Sequence, residues 1–444
     1  MHTQSKLREI AADALRQATA LGATDAVVGI NEGDGLSVSV RRGALETIEN
    51  QRDKRVNVTI FVGRRSGTAS TSDFSPGAVR DAIAAAGHVA RFTSEDDAAG
   101  PAEAELLETA PSDLDLYHPW AVSVDDAVEI ARRAEDAAFA VSPKIVNSEG
   151  ASVSTRHGQT VLATSRGFLD GYPSSSHVVA CVPIAGDGHE MQRGHWHSAK
   201  RRSTELETPE SIGRYAAERA LARTGARRLA TCRVPVLFEA PLGVELLGAF
   251  ARAASGNALF RNMSFLVDSL GKQVFAPHVQ IAEGPHLPRA PGSAPFDLEG
   301  VRTRARSIVT DGVVEGYFLS TYSARKLGMQ TTGNAGGWHN LTLRSTHTRP
   351  NDRFDAMLKK LGTGLLLTEL MGDGVNYVTG DYSRGAAGFW VENGAIQYPV
   401  EEITVASTLQ EMFRRIAAIG ADSCVRGSAE SGSVLIDEMT VAGR

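Results

Sequence analysis

The sequence contains few cysteines, and this scarcity excludes two common scaffolds. Three cysteines occur among 444 residues, Cys181, Cys232 and Cys424, and no two of them form a C-x-x-C pair. A zinc ribbon requires such pairs, and a disulfide-stabilised secreted domain requires more cysteines at closer spacing. The cysteine content therefore indicates a reducing compartment.

Long apolar runs are also missing. No uninterrupted stretch reaches the roughly 18 residues of a transmembrane helix, and residues 1–25 mix charged and apolar side chains without the apolar core of a signal peptide. The formal net charge of −6 gives no reason to expect nucleic acid or an anionic membrane as a partner. We therefore expect a cytoplasmic protein with no nucleic-acid or membrane partner.

Several catalytic motifs are absent. Neither G-x-G-x-x-G nor G-x-x-x-x-G-K-[ST] occurs in the context that a phosphate-binding loop requires. The segment GSAESG at residues 427–432 has the wrong spacing for the nucleophile elbow G-x-S-x-G. The sequence therefore argues against nucleotide-dependent and serine hydrolase chemistry.

One stretch, GDGHEMQRGHWHSAKR at residues 186–201, is rich in potential metal ligands: His189, Glu190, His195 and His197. Its H-E-x-x-x-x-H spacing would turn the second histidine about 120° away from the first on a helix. The nearby glycines favour a strand instead, on which His195 and His197 share a face. This pair could hold zinc with a third ligand from elsewhere, although a polar edge strand without metal is the favoured interpretation.

The length predicts two domains, because a single core stops growing well below 444 residues. We place them at residues 1–227 and 228–444, with the boundary after a helix that ends near Gly225. The fold class is α+β: the N-terminal domain is mixed α/β with an antiparallel sheet, and the C-terminal domain is mainly β with a few helices.

Local signals specify several elements. Asp311-Gly312 and Asn393-Gly394 lie between apolar alternating runs and predict two tight β-hairpins. A helix is predicted from about Pro241 to Ser255, and the polar segment from Ser94 to Asp115 is predicted to be a long surface loop.

Longer combinations resemble the TldD/PmbA family of zinc metalloproteases, and within it the PmbA (TldE) branch. The segments TSRGFLDGYPSSSH and HEMQRGHWHS carry the resemblance in the first half. In the second half it is carried by residues 303–337, residues 374–407 and the terminal GSVLIDEMTVAG. These segments occur in the family's order and extend over nearly the whole chain.

The resemblance implies that this chain lacks a zinc site of its own. TldD-type subunits carry H-E-x-x-x-H in the helix that opens the second domain, and a cysteine near the C-terminus completes the site. The matching segment here is PLGVELLGAFARAASG, where apolar Val244 and Ala249 replace the histidines and only a vestigial Glu245 is kept. Cys424 lies near the third-ligand position and is interpreted as structural. We expect no confident catalytic residue here, no cofactor in this chain, and zinc in the partner subunit.

The family resemblance also implies a function. It predicts a subunit that forms a heterodimer with a TldD-type subunit, the pair being a zinc-dependent peptidase for unfolded or small peptides. Peptide-antibiotic maturation and degradation of antitoxin-type proteins are the implied processes. Whether this chain is an enzyme by itself stays open, since it is expected to be inactive without the partner.

An extended peptide could bind by adding a strand to an exposed sheet edge. The candidate peptide-binding residues are Thr332, Gly333, Asn334, Asn376, Thr379, Gly380, Asp381, Ser383 and Arg384. The alternative is that they form turns that only shape the domain.

Two other functions are compatible with the sequence. The chain could be a free-standing metallohydrolase in which His195 and His197, together with His189 or Cys424, bind zinc. It could also be a non-enzymatic homodimeric scaffold. Zinc content and partner-dependent peptide cleavage distinguish these alternatives.

Overall fold

The structure is a computed structural model that describes residues 1–188 and 191–443. In the first half the helices are α1 (Gln4–Ala20), α2 (Pro76–Phe92), α3 (Val124–Phe139) and α4 (Pro209–Ala222). The strands are β1 (Asp25–Arg41), β2 (Ala44–Val62), β3 (Arg65–Thr71), β4 (Ile145–Thr164), β5 (Leu169–Ala185), β6 (Gln192–Arg193) and β7 (Trp196–Lys200). Each of these helices starts after a hydroxyl side chain that accepts a backbone N–H of the first turn: Thr3, Ser75, Ser123 and Thr208.

The second half begins with strand β8 (Cys232–Phe238). Its helices are α5 (Ala240–Ala253), α6 (Gly256–Phe260), α7 (Thr321–Lys326), α8 (Phe354–Leu361) and α9 (Leu409–Arg414). Its further strands are β9 (Val279–Glu283), β10 (Arg306–Thr310), β11 (Val313–Val314), β12 (Leu341–Ser345), β13 (Gly364–Met371), β14 (Asp381–Glu392), β15 (Ala395–Thr408), β16 (Ile416–Ile419), β17 (Cys424–Arg426), β18 (Ala429–Ser431) and β19 (Val434–Ala442).

The first half forms one antiparallel sheet in the order β3-β2-β1-β4-β5-β6, and β7 also pairs with β5. Alternating apolar residues on the long strands β1, β2 and β4 bury one face against helices. Helices α1 and α2 cover one part of the sheet, and the alanine-rich faces of α3 and α4 cover another. The stretch rich in histidine thus lies at the edge of this sheet.

The second half forms two six-stranded sheets, in the orders β11-β10-β9-β12-β18-β17 and β15-β14-β13-β8-β19-β16. Helix α5 packs against strands of both sheets, and its buried residues join the largest apolar core. Because α5 is apolar on most of its circumference, it is a core helix rather than a surface helix.

The predicted fold class is confirmed: the chain is α+β, with an antiparallel first sheet and a second half that is mainly β. Both predicted hairpins are present. Asp311, Gly312, Asn393 and Gly394 all have positive φ angles, as a turn with two left-handed central residues requires. The helix predicted from Pro241 to Ser255 is α5. The predicted domain boundary at residue 227 falls between α4 and β8.

The segment from Ser94 to Asp115 differs from the predicted surface loop. It contains a short 3-10 helix and buries Ala102, Leu107 and Leu114. Leu107 also forms a β-bridge with Val301, so the segment packs against the second half of the chain. Its acidic residues suggested full exposure, but the apolar residues among them find a partner surface that local sequence does not reveal.

Across the described part of the chain, none of the helices combines the length and hydropathy needed to cross a bilayer.

The close packing of α5 against β18 predicts that two glycine substitutions in α5 have opposite effects on stability. A Cβ added at Gly243 would lie 2.6 Å from the Gly432 carbonyl oxygen and 2.8 Å from Ser431 Oγ. Gly243→Ala should therefore lower the free energy of unfolding by about 1–3 kcal/mol through overpacking. Gly248→Ala in the same helix meets no atom within 4 Å and should instead raise it by up to about 1 kcal/mol. Urea midpoints of the two variants, followed by circular dichroism, test the difference in sign; a rise for both would contradict the close contact.

Candidate functional site

Two adjoining cavities, of about 1110 and 690 Å³, lie between the edge of the first sheet and the second half of the chain. They share seven lining residues: Trp196, His197, Tyr215, Glu239, Pro241, Phe354 and Arg426. We call the combined space the cleft. The cleft is lined by β7, β17, one face of α4 and the first turn of α5, so it lies between the two halves of the molecule.

Two strand edges face the larger cavity. All five residues of β7 and all three of β17 line it. Among the described strands, β7 pairs only with β5, and β17 pairs only with β18. Each strand therefore presents one edge of backbone N–H and C=O groups that no ladder uses, and such an edge can accept an added strand.

An ion pair between Arg219 and Glu239 connects two helices that line the cleft. Arg219 of α4 donates from both terminal nitrogens to the carboxylate oxygens of Glu239, at 2.7 and 2.9 Å. Arg219 also donates to the Thr368 carbonyl oxygen at 3.2 Å. Burial disfavours the charged guanidinium, but the bidentate contact with Glu239 outweighs it and raises the pKa of Arg219. The pair thus connects α4 of the first half to the start of α5.

The two histidines of the sheet edge are close neighbours in the cleft. The ring centroids of His195 and His197 are 5.2 Å apart. Burial, followed by the charge of Arg426, lowers the pKa of both rings, and that of His197 falls to about 4. Both imidazoles are therefore neutral near pH 7. His195 precedes β7, whereas His197 belongs to it.

The residues of the cleft do not fit a zinc ion. Within residues 1–188 and 191–443, no group of three or more His, Cys, Asp or Glu side chains is arranged to hold a metal. The Glu239 carboxylate is already bound by Arg219. His195 and His197 lie beside Arg426, and a second cation would be repelled there. The third ligand proposed for a free-standing site, His189, lies outside the described residues.

Cys424 lines the larger cavity at the start of β17. Burial raises the pKa of its thiol, so the thiolate that binds metal or attacks a carbonyl is disfavoured. Its role as a structural residue stays a prediction.

The vestigial Glu245 lies on the exposed side of α5 and forms an ion pair with Arg384 at 2.8 Å. Val244 and Ala249, which replace the two histidines, are buried in the core. Glu245 nevertheless lines the smaller cavity, and the pair brings one predicted peptide-binding residue, Arg384, to the outer end of the cleft.

The other predicted peptide-binding residues form two separate groups. Asn334 is 4% exposed, and its side chain bonds to Glu283, Arg306 and Thr332. Gly333 has a φ of +73°, and a Cβ there would lie 2.6 Å from the Arg302 carbonyl oxygen. These bonds and contacts hold the 332–334 loop in place, and the loop does not line either cavity.

The second group forms a turn before β14. The Asn376 side chain accepts the N–H of Val378 at 2.9 Å, and Thr379 donates to Asp381 at 2.6 Å. Gly380 has a φ of +83° and Ser383 donates its N–H to the Gly374 carbonyl oxygen. The turn is also bound to the start of α9, because Leu409 donates its N–H to the Gly380 carbonyl oxygen and Gln410 donates to that of Thr379. Peptide binding by either group stays a prediction.

Sequence reasoning missed the residues that dominate the cleft: Trp196, Arg219, Glu239 and Arg426. Arg219 looks like one of many arginines on an amphipathic helix, and Arg426 lies in a short polar strand. Glu239 lies two residues before Pro241 in an apolar run, VPVLFEAPLG, and a charge in such a run was the one local signal available.

Comparisons with known proteins agree with this architecture. The models of PmbA/TldA metallopeptidase domain 1, central domain and C-terminal domain match residues 26–90, 117–224 and 231–443. Metalloprotease PmbA of Escherichia coli O157:H7 is 43% identical over 444 residues, covering 100% of this chain and 98% of that relative. The PmbA homologue of Haemophilus influenzae is 41% identical over 440 residues, covering 99% and 97%.

Solved structures share the fold over the full length. A protein from Bacteroides thetaiotaomicron superposes with a TM-score of 0.92 at 24% identity, covering 100% of both chains. TldE from Thermococcus kodakarensis gives a TM-score of 0.84 at 17% identity, covering 98% of this chain and 100% of that one. The three consecutive domain models define a metallopeptidase-type chain. The protein belongs to the PmbA/TldD metallopeptidase family, as the sequence resemblance predicted.

The Arg219–Glu239 pair should contribute strongly to stability. Glu239→Gln leaves a largely buried guanidinium without its counter-charge and should lower the free energy of unfolding by about 2 kcal/mol or more. Glu210→Gln is the matched control, because Glu210 binds Arg133 at the same 2.7 Å on an exposed surface and should change stability by less than about 1 kcal/mol. Equal losses in urea unfolding would contradict a special role for the buried pair.

The lowered pKa of His197 predicts acid sensitivity. The unfolded histidine binds a proton below its ordinary pKa of 6.5, whereas the folded one does so only near pH 4. The unfolded state therefore binds more protons between these pH values, and stability falls as the pH drops from about 6.5 to about 4. His197→Gln should flatten this part of the stability profile, while His88→Gln at an exposed site on α2 serves as control. An unchanged slope for His197→Gln in pH-dependent unfolding would show that another group is responsible.

Proposed function

We propose that this chain is the metal-free subunit of a heterodimeric, zinc-dependent peptidase, and that it binds extended peptide in the cleft for a TldD-type partner that carries the zinc. The observation that carries the proposal is the cleft itself. Two strand edges that have no ladder partner among the described strands line one cavity there, and the described residues of that cavity form no zinc ligand set. The family membership supports the peptidase part, because two full-length relatives bear the name metalloprotease PmbA or its homologue.

Peptide binding by strand addition follows from the backbone chemistry of β7 and β17. Their open edges offer N–H and C=O groups that every peptide can pair with, whatever its side chains. A peptide must be extended to use them, so folded proteins are excluded and unfolded or small peptides are selected. This explains how a subunit without catalytic groups contributes to proteolysis with loose sequence preference, as peptide maturation or removal of unfolded antitoxin-type proteins requires.

Another open strand edge, that of β2, supports assembly with a partner. Strand β2 pairs with β1 along its length, but β3 pairs with it only from Val56 onward. Residues 44–53 are exposed, and the edge they share with residues 54–55 has no partner in the described chain. Leu45 and Ile48 are 45% and 44% exposed on it. A long edge of this kind invites aggregation unless it is covered, and the TldD-type subunit is the proposed cover.

The proposal includes a cytoplasmic location. The three cysteines are free thiols, as expected in a reducing compartment.

Metal content and partner dependence test the function. The purified chain alone is expected to contain no stoichiometric zinc by atomic absorption and to cleave no unfolded peptide. Addition of a TldD-type subunit should give peptide cleavage that a chelator abolishes. Stoichiometric zinc together with cleavage by the chain alone would establish the free-standing metallohydrolase instead, whereas absence of any partner-dependent cleavage would favour the scaffold.

Peptide binding to the chain alone separates strand addition from side-chain recognition. A labelled flexible peptide should bind by fluorescence anisotropy, and the same sequence with alternate N-methylated amides should bind at least about tenfold more weakly, because it cannot form the ladder. Equal affinities would rule out strand addition.

A further inference from the structure

Arg426 differs from the other arginines of the cleft in how few protein acceptors its guanidinium has. Arg201 also lacks a carboxylate partner, but it donates to the carbonyl oxygens of Ser175, Ala290 and Pro291. Arg219 binds Glu239, Arg223 binds Glu369, and Arg193 binds Glu149 at 3.4 Å. Arg426 forms no such pair: no carboxylate oxygen of the described residues lies within 4.0 Å of its guanidinium, although it lines both cavities. Its one hydrogen bond to the protein runs from Nη1 to the His197 carbonyl oxygen, at 3.3 Å.

The guanidinium is held in position by aromatic packing rather than by a counter-charge. Its central carbon lies 4.3 Å from the centre of the Trp196 ring. Trp196 is itself held, because its indole N–H donates to Glu207 at 3.2 Å and its ring packs edge-on against Tyr215. A guanidinium that packs on a fixed indole keeps the N–H groups that do not bind the His197 carbonyl available to a planar two-oxygen acceptor.

The described carboxylates of the cleft do not form an ion pair with this guanidinium. Glu207, Asp422 and Glu430 line the same cavity, but none of them lies within 4.0 Å of Arg426 as an ion-pair partner, and Glu239 is already bound by Arg219. His195 and His197 are neutral near pH 7 because burial and Arg426 itself lower their pKa. The cleft therefore keeps one positioned guanidinium without a direct counter-ion contact, and a carboxylate is the group that matches its geometry.

The strand directions indicate which carboxylate would reach it. Arg426 is the last residue of β17 and lies against Trp196 and His197, the first two residues of β7. A peptide that pairs antiparallel with β7 runs toward Trp196 and places its C-terminal end there. Because Arg426 lies against Trp196 and His197, such a peptide ends beside Arg426.

We propose that Arg426, stacked on Trp196, binds the free C-terminal carboxylate of a peptide that lies along β7. This inference rests on the proposed peptide-binding function and specifies its substrate: peptides with a free C-terminus, entered in one direction. Arg426 acts in binding and orientation only, and no bond is made or broken at this residue.

The test compares one flexible, uncharged octapeptide as the free acid and as the C-terminal amide, with binding to the full chain measured by fluorescence anisotropy at pH 7.5. The free acid should bind on the order of 10- to 100-fold more tightly. Arg426→Gln should remove this preference, so that the free acid and the amide bind equally. Arg193→Gln is the matched control in the same cleft and should keep the preference, because Arg193 has its own carboxylate partner.

Arg426→Lys keeps the charge but not the two-pronged geometry, so its preference should be intermediate; it also serves if Arg426→Gln fails to fold, which thermal unfolding reveals. Equal binding of acid and amide by the native chain would overturn the carboxylate site and leave the proposed function intact. A preference that survives Arg426→Gln would overturn it as well. If neither peptide binds, the proposed function itself fails.

Discussion

The geometry of the cleft depends on one interaction, the bidentate ion pair between Arg219 and Glu239. Arg219 belongs to α4, which packs on the first sheet beside β7, whereas Glu239 caps the helix α5 that carries the second core. A second ion pair, between Arg223 at the end of α4 and Glu369 of β13, also connects the two halves, but only the Arg219–Glu239 pair joins α4 to the start of α5. The pair is only partly solvated, at 21% and 14% exposure, so its electrostatic attraction is weakly screened and its geometry is well defined.

The same pair decides which chemistry the cleft can perform. In a metallopeptidase the carboxylates and imidazoles near the opening helix must be free to bind a cation. Here the Glu239 carboxylate at the start of α5 is bound by Arg219. The imidazoles of His195 and His197 lie beside a second arginine, Arg426. The cleft is therefore already supplied with fixed positive charge. A further cation is therefore disfavoured beside these arginines, although carboxylates such as Glu207 and Glu430 also line the cleft.

Local sequence predicted the local structure well and the cleft poorly. The Asp311-Gly312 and Asn393-Gly394 turns were predictable because the left-handed conformation required there is a property of those residues themselves. The closeness of His195 and His197 was predictable, because residues two positions apart lie on the same face of an extended chain. Arg219 and Glu239 are 20 positions apart on different elements, and Arg426 meets Trp196 from 230 positions away, so no periodicity signals their contact. The Ser94–Asp115 segment was misjudged for the same reason, since its buried residues depend on Val301 and its neighbours.

Two open strand edges inside one molecule would ordinarily be a liability, because they template aggregation. The arrangement of β7 and β17 limits this risk by geometry: both edges open into a cavity of about 1110 Å³ rather than onto a flat outer surface. A second folded sheet cannot enter such a space, but a single extended chain can. Arg426 of β17 donates to the His197 carbonyl oxygen of β7 and so connects the two strands. This contact marks the end of the open edge along which a peptide could pair. In the proposed function, enclosure, main-chain polarity and the guanidinium of Arg426 hold the peptide, so this binding requires no metal ligands from the described part of the chain.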